Sequence, residues 1–491
     1  MNRLLLRWSW RDLRGHWVAV VAIALVLAIG TGVFAGLRST STWRRQSNDA
    51  SFAATDLHDL RVSLSAGTFA DQGALLERLA TIGADDDIAH AAERLVVGTQ
   101  IDASTPAETI LVQARVVGMT FVPATEPGVD RMWVRDGRVP EPGGRPPEAV
   151  LEAKFADFYD LPTTGDVIVA GGAPVRYVGL GVGPEDFFVS GPEGSIFAQG
   201  DFAILSMDLT DAQGVLDRAG QVNDLVLTLT DGADRDAVAA QLRSAFEGVD
   251  GISAVVTDQD DVEAFRLLYD DIENDEQVWT MISSLVLFAA ALAAFNLVSR
   301  IVEAQRREIG IGMALGVDRG RLAVRPLLVG AQIGLLGAIA GVGVGLLIGW
   351  AMQGLMESFV PLPHWDTSFQ PDRYAAAAAL GVAIPLLAAA LPVWRAVRVE
   401  PIEAIRTGHL TARTNRFSDW TSRIQLPGSS LTHLPIRNIV RNPRRTILTA
   451  VGVGAAITAL VAVLGMLDSF GRSIDQGSEE LTRGDPERVL V

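Results

Sequence analysis

The chain has no cysteine among its 491 residues. Within this sequence the absence excludes disulfide bonds, thiolate zinc sites, iron–sulfur clusters and a cysteine nucleophile. It assigns no compartment, because a protein that faces an oxidising exterior can simply avoid thiols.

Lysine is nearly absent too, since Lys154 is the only one and all other basic side chains except the six histidines are arginines. Genomic base composition is a sufficient cause of this bias, but the consequence is chemical. A Walker A loop places a lysine on nucleotide phosphates within G-x-x-x-x-G-K-[ST]. Lys154 follows Leu-Glu-Ala and has no glycine cradle. These residues therefore carry no P-loop, and any ATP-derived work is expected from a partner.

Charge is missing from five long apolar runs in a chain that is 49% hydrophobic, with a mean hydropathy of +0.27. Uncharged runs of about 20 residues are long enough to cross a bilayer. The first run reads as a retained anchor rather than a signal peptide, because no small-residue cleavage site follows it. The predicted spans are residues 17–37, 278–301, 326–356, 374–394 and 446–470.

Arginine collects beside these spans in three places: before the first, between the second and third, and between the fourth and fifth. All three become cytoplasmic if the N-terminus is inside, as the positive-inside rule requires. Residues 38–277 then lie outside, with about 42 acidic and about 17 basic side chains. The sequence predicts a multi-pass protein of the plasma or inner membrane, with a cytoplasmic N-terminus and residues 38–277 extracytoplasmic.

The external segment alternates short strands and helices. Two β-α-β units are predicted at its ends, with strands at 59–65, 93–101, 111–119, 224–230 and 252–257, and helices at 71–82 and 234–246. The glycine- and proline-rich stretch 129–202 between them reads as all-β and loop-rich. An acidic amphipathic helix at 260–277 runs straight into the second span, and we interpret it as a stalk.

The predicted fold class is a polytopic α-helical membrane protein with a large α+β extracytoplasmic domain inserted between its first two transmembrane helices. The predicted parts are a cytoplasmic amphipathic segment 1–16, span 17–37, the external domain with stalk helices 38–277, span 278–301, a cytoplasmic coupling loop 302–325, span 326–356, an outer loop 357–373, span 374–394, a cytoplasmic linker 395–445, span 446–470 and a second external start 471–491.

An arginine pattern occurs twice, as R-x3-R-x2-R at residues 7–14 and again at residues 437–444. Each copy lies in a short basic amphipathic segment that leads into an apolar run. We interpret this as an internal duplication whose second half is incomplete in these residues. A longer gene product or a separate chain would complete it; coincidental basic flanks are the alternative.

Two motifs carry a family resemblance. Residues 307–316, REIGIGMALG, resemble the R-E-I-G-I-x-x-A-L-G signature of FtsX/MacB-type ABC permeases. Residues 392–406 are similar to the closing P-x-x-R-A…P-x-E-A-[IL]-R motif of the same family. Weaker similarity to the periplasmic core domain of MacB type lies at residues 137–138, 148–152, 165–166 and 177–180.

The resemblance implies that residues 306–322 form a cytoplasmic coupling helix seated in a groove of a separate ABC ATPase subunit, where ATP is bound. Ile309, Met313 and Leu315 are expected on its exposed face, which suits a protein partner better than water. The predicted ATPase-coupling residues are Arg307, Glu308, Ile309, Gly310, Met313, Ala314, Leu315 and Gly316.

Glycines recur every four residues in the third span, at Gly337, Gly341, Gly345 and Gly349. Small residues on one face let helix backbones approach closely in lipid, so we predict a packing seam with another permease helix. Incidental membrane glycine is the alternative. The other expected partners are the lipid membrane and a second permease half or a homodimer, without nucleic acid.

Candidate catalytic groups are lacking. No span carries a charge well inside it, the six histidines lack ligand spacing, and no Ser-His-Asp or paired-carboxylate arrangement can be argued. No catalytic residue, metal or cofactor is predicted. The resemblance implies a permease that exports or extracts a lipid, lipoprotein, peptide or hydrophobic drug. The alternatives are an FtsX-like regulator of an external hydrolase or sensor, and an external enzyme on a membrane anchor.

Overall fold

A computed structural model describes residues 2–106, 108–123, 126–188, 200–247, 253–398 and 443–482. The chain divides into two compact units. The membrane unit comprises Met1–Trp43, Asn274–Gly354 and Ser368–Phe470, and the head unit comprises Arg44–Glu273, Leu355–Thr367 and Gly471–Val491. The predicted linker 395–445 lies largely outside the described residues, as do the second arginine pattern up to residue 442 and the chain end from residue 483.

Long helices lie towards both ends of the chain, and the strands with their short helices lie between them. The described α-helices are α1 Asn2–Gly15, α2 Trp17–Thr55, α3 Ala74–Ala80, α4 Ala153–Phe158, α5 Leu209–Val215, α6 Arg235–Phe246, α7 Glu263–Ala304, α8 Arg306–Ala314, α9 Arg319–Phe359, α10 Pro371–Arg398 and α11 Pro443–Thr482. The strands are β1 Leu60–Leu64, β2 Ala70–Asp71, β3 Ile88–Asp102, β4 Leu111–Met119, β5 Trp133–Gly137, β6 Glu148–Glu152, β7 Gly165–Val169, β8 Ala173–Val182, β9 Phe202–Asp208, β10 Gln221–Val222, β11 Asp224–Leu229 and β12 Ala254–Asp258.

Four of the described helices, α2, α7, α9 and α10, are long and apolar enough to cross a membrane. In α11 the apolar part, Thr446–Ala462, is shorter than a span, so a fifth crossing stays a prediction. The 39 residues of α2 and the 42 of α7 exceed what a bilayer needs. At 1.5 Å per residue each is about 60 Å long, roughly twice the hydrocarbon thickness. The acidic segment predicted as a stalk does continue into the apolar run without a break.

The membrane unit is held by small and aliphatic side chains from five helices. Its core contains Leu13 of α1, Val20, Ile23 and Leu27 of α2, Ala294, Val298 and Val302 of α7, Val329 and Ile333 of α9, and Ala388, Ala389 and Val393 of α10. Without a hydrophobic driving force between helices in lipid, such close van der Waals packing is what associates them. Helix α1 is therefore part of the membrane unit rather than a free basic segment.

The head is built on a ten-stranded sheet in the order β12-β1-β11-β3-β4-β9-β6-β8-β5, with β7 paired to β3 and β8. The first four strands contain the two predicted β-α-β units, β1-α3-β3 and β11-α6-β12. Each unit is split by a strand of the other, because β11 lies between β1 and β3, and β1 lies between β12 and β11. Strand periodicity predicts such units but carries no information on their interleaving.

Strand β3 joins the two halves of the sheet. Its first part, to Arg94, pairs with β11, and its second part, from Leu95, pairs with β4. The stretch predicted as all-β also contains α4, which begins where the Glu152 carboxylate accepts hydrogen bonds from the N–H groups of Lys154 (2.9 Å) and Phe155 (2.6 Å). A six-residue helix is too short to give a periodic signal, which is why the sequence missed it.

Candidate coupling and stalk sites

The predicted coupling segment folds as a short helix between two long ones. Helix α8 ends at Ala314, and Gly316 follows with a φ of +81°, in the left-handed region that glycine adopts without strain. The N–H of Gly316 bonds to the Met313 carbonyl at 3.0 Å, and the N–H of Val317 bonds to that of Gly312, also at 3.0 Å. Asp318 then caps α9, accepting from the N–H of Gly320 at 3.0 Å. The REIGIGMALG motif thus encodes a helix, its C-cap glycine and a sharp turn.

The buried side of α8 differs from the expectation. Ile309 and Met313 were predicted on the exposed face, but both are buried against Leu322 of α9 and Val397 of α10. Periodicity alone cannot tell an apolar face that docks on a partner from one that packs on the same chain. Gly312 allows this packing, because a Cβ there would lie 2.6 Å from the Leu322 side chain.

The opposite side of α8 is open. Arg307, Ile311, Ala314 and Leu315 are exposed, at the spacing of one helix face, and the Leu315 side chain is 78% exposed. Glu308 is exposed and accepts a hydrogen bond from Arg325 Nη1 at 2.8 Å, whereas Gly310 is buried. A cation beside exposed aliphatic side chains is a surface that a protein partner can cover. We call Arg307, Ile311, Ala314 and Leu315 the coupling face.

Three of the four predicted seam glycines lie against other helices of the membrane unit. A Cβ on Gly337 would meet Leu27 at 2.7 Å, one on Gly341 would collide with Thr31 Oγ1, and one on Gly345 would meet Tyr374 at 2.8 Å and the Gly32 carbonyl at 3.1 Å. Gly349 has open space around it among the described residues. Helix α2 contributes Gly32 and Gly36 to the same close contact with α9. Two glycines are too few to appear as a repeat in the sequence.

Within the head unit, the polar part of α2 pairs with the polar part of α7. Arg44 forms an ion pair with Asp271, and the Tyr269 hydroxyl donates to the Asp49 carboxylate. Burial and the neighbouring Asp49 charge both raise the pKa of Tyr269, which keeps its hydroxyl a donor. The rings of Phe52 and Phe265 are 5.1 Å apart between centroids. These contacts bind the two segments into one stalk.

A buried ion network lies near the start of β1 and the point of β3 where its pairing passes from β11 to β4. Arg94 donates to Asp130 Oδ2, Glu185 Oε1 and Asp224 Oδ2, each at 2.7 Å, and is 4% exposed. His58, three residues after α2 ends, places Nδ1 2.8 Å from Asp130 Oδ2. The network comes from five separate chain segments, so no local pattern in the sequence could reveal it.

The arginines set the protonation of this network. Burial by itself raises the pKa of Glu185, but the cations of Arg61 and Arg94 hold it well below its usual range. The pKa of Asp224 is likewise lowered by Arg94 and Arg61 against the effect of burial. Both carboxylates are therefore charged, and the paired charges join β1, β3 and β11 to the segment that carries Glu185.

The ligand atoms of His58, Asp130 and Glu185 lie within 4.8 Å of one another, the one such group of potential metal ligands in the described part of the chain. Their chemistry does not fit a metal. Asp130 and Glu185 already accept hydrogen bonds from Arg94, and that fixed cation disfavours a second one at the same oxygens. We therefore assign the group to the ion network.

Comparison with known proteins gives two family matches. Residues 17–245 match the MacB-like periplasmic core domain, and residues 280–401 match the FtsX-like permease C-terminal region. The chain is 24% identical over 264 residues to the macrolide export ATP-binding/permease protein MacB of Vibrio parahaemolyticus, covering 52% of this chain and 37% of that one. It is 30% identical over 126 residues to MacB of Photorhabdus laumondii, covering 26% and 18%.

A third relative is the lipoprotein-releasing system transmembrane protein LolC of Xylella fastidiosa, 26% identical over 155 residues, which cover 28% of this chain and 37% of that one. The chain thus spans less than two fifths of the length of these relatives. Four long apolar helices, with an α+β domain between the first two, confirm the fold class predicted from the sequence. The resemblance to FtsX/MacB-type ABC permeases that the motifs indicated is confirmed by these matches.

Proposed function

We propose that the chain is the transmembrane subunit of an ABC transporter whose ATP is bound and hydrolysed by a separate chain. The ATPase engages the coupling face of α8, the spans relay its movement, and the head changes shape in response. In this proposal the N-terminus and α8 are cytoplasmic and residues 38–277 are extracytoplasmic. A second permease half or a second copy of the chain completes the transporter.

The observation that most supports a mechanical relay is the continuity of α2 and α7. Each is a single helix that holds an apolar segment at one end and a stalk segment at the other. A continuous helix transmits displacement along its axis because its backbone hydrogen bonds resist local deformation. Three residues after α2, His58 binds Asp130, which Arg94 of β3 also binds, so displacement of the stalk reaches the sheet of the head.

The cargo we propose is a lipid, lipoprotein, peptide or hydrophobic drug. The relatives support this range by name, as a macrolide exporter and a lipoprotein-releasing protein. The membrane-embedded runs predicted from the sequence carry no charge well inside them, which disfavours an ion or proton relay. An apolar cargo does not need a polar channel through the membrane. We therefore propose that the cargo is handled at the outer leaflet or outside the membrane.

Leu315→Asp tests the coupling face, because a charge in the middle of an apolar contact is desolvated on docking. Tagged wild-type chain, purified from its native host in detergent, is expected to carry a P-loop ATPase that hydrolyses ATP in the eluate. Leu315→Asp should lose both the protein and the hydrolysis. The matched control is Val255→Asp, which places the same charge at a 56% exposed position on β12 of the head and should retain both.

The proposal fails if the wild type retains no hydrolysing ATPase, or if Leu315→Asp retains as much as Val255→Asp. An external hydrolase or sensor bound to the head, with ATP hydrolysis but no cargo movement, would instead assign the chain to the regulatory branch of the family.

A further inference from the structure

The segment that joins α9 to α10 belongs to the head unit, although both helices carry apolar runs of the membrane unit. We call this segment, Leu355–Thr367, the strap. Val360 and Leu362 of the strap are buried in the apolar cluster that contains Phe52 of α2 and Leu268 of α7. The predicted outer loop 357–373 is therefore not a free connection, because its first half is part of the packed core at the base of the head.

The stalk binds the backbone of the strap through two buried serines of α2. The Ser51 hydroxyl donates to the His364 carbonyl at 3.1 Å and accepts from the His364 N–H at 3.2 Å. The Ser47 hydroxyl accepts from the Asp366 N–H at 2.9 Å. Ser47 and Ser51 are four residues apart, about 6 Å along the axis of α2 and on one face of it. One helix face therefore binds two strap positions, His364 and Asp366.

Lys154, the only lysine of the chain, binds the N-terminal part of the strap. Lys154 Nζ donates to the carbonyls of Ser358 at 2.9 Å and Glu357 at 3.4 Å. Both carbonyls lie in the last turn of α9, where backbone acceptors have no partner within the helix and the helix dipole attracts a cation. Lys154 is held in place because the Glu152 carboxylate caps the helix that carries it. Its amine is half-buried, and burial lowers its pKa.

We propose that the strap is a third mechanical connection of the head, clamped by Ser47 and Ser51 on one side and by Lys154 on the other. Helices α2 and α7 lead into the head through covalent bonds. The strap adds the end of α9 and the start of α10 to the same assembly, so that the second pair of spans moves with the first. Lys154 is a positioning residue, and the clamp stays closed throughout the transport cycle. What the clamp transmits rests on the function proposed above, whereas the clamp itself does not.

The absence of cysteine and of any other lysine makes a clean experiment possible in the full chain with its co-purified ATPase, reconstituted in lipid nanodiscs. The readout is the change in amide hydrogen exchange of the head between the nucleotide-free and the ATP–vanadate state. In the loosened variant, Ser47→Ala with Lys154→Met, this change should shrink about tenfold, because three hydrogen bonds to the strap are lost. ATPase retention and basal hydrolysis should persist. Lys154→Arg, which retains the cation and its donors, should behave as the wild type.

A disulfide separates a mechanical role from a merely structural one. The Ser51→Cys, His364→Cys pair should cross-link on mild oxidation and leave the nucleotide-dependent change of the wild type intact. In the loosened background the same cross-link should restore that change, and a reductant should abolish it again.

Failure of the pair to cross-link, an undiminished response of the loosened variant, or a lack of rescue by the disulfide would each overturn the clamp. Absence of an ATPase or of any nucleotide response in the wild type would instead contradict the proposed function, so the two failures are distinguishable.

Discussion

The head unit and the membrane unit are each stabilised internally, but by different kinds of contact. At the base of the head, Arg94 bonds to three carboxylates that are themselves buried or nearly so, and a ten-stranded sheet surrounds them. In the membrane unit, Gly337, Gly341 and Gly345 contribute no side chain, only the room for helices to approach. Directional bonds fix one geometry, whereas smooth close contacts let packed helices shift by small amounts.

Removal of Arg94 should have the largest effect on this comparison. Arg94→Leu leaves Asp130, Glu185 and Asp224 buried without their main cation, and breaking a buried pair in this way costs about 3–5 kcal/mol. The free energy of unfolding of the head should fall by that amount, measured by hydrogen exchange of β3 and β11 in the full chain. Arg176→Leu is the control, because that residue pairs with Asp166 at the surface and its loss should be undetectable. Equal effects of the two substitutions would show that the network does not hold the head.

Glu152 should make the stability of the head depend on pH. Burial raises the pKa of Glu152 to about 7, so the folded state favours the protonated form. The unfolded carboxyl titrates near 4.3, so the wild type loses stability as pH rises from about that value to about 7, by up to about 4 kcal/mol. Glu152→Gln cannot ionise, and its unfolding free energy relative to wild type should rise between pH 5 and pH 8.

The carboxylates with lowered pKa values give the opposite sign. Glu185 and Asp224 are charged in the folded state, so their contribution is present above pH about 4.3 and is lost as pH falls further. The Glu152→Gln variant should therefore still lose stability when the pH falls below about 4, as the wild type does. A pH-independent difference between Glu152→Gln and the wild type would contradict the raised pKa.

The smallest effect is expected in the membrane unit. Gly341→Leu inserts a side chain where Thr31 already lies, and overpacking of this kind costs about 1–3 kcal/mol. Thermal unfolding of the purified chain in detergent should report a lower midpoint. Gly349→Leu, at the position with open space, should leave the midpoint unchanged. A seam that tolerates leucine at both positions would not be a close approach of helices.

The sequence predicts those features that depend on neighbours along the chain. Apolar run length predicts α2, α7, α9 and α10, alternation predicts β1, β3, β4 and β11, and the four-residue glycine period identifies a face of α9. Contacts between distant segments are not encoded in any such period. One such contact is the ion network, which brings together His58, Arg94, Asp130 and Glu185. Another is the burial of Ile309 against Leu322.

The contacts of the strap could not be predicted from the sequence either. Residues 357–373 have the composition of a simple loop, and nothing near Ser47 or Lys154 in the sequence indicates that they hold it. The hydrogen bonds need one face of α2 and the strap to lie side by side, which only the tertiary structure brings about. Lys154 is conspicuous as a lone lysine, but its rarity alone does not indicate its partner.

Site-directed labelling tests the central claim most directly, because the chain has no cysteine of its own. A single cysteine is placed either in the head, by Gly172→Cys between β7 and β8, or beside the coupling face, by Val317→Cys. Both positions are exposed. On intact cells a membrane-impermeant maleimide should label the head position and reach residue 317 only after permeabilisation. Labelling of both positions from the same side would contradict the orientation, and with it the coupling face and the relay.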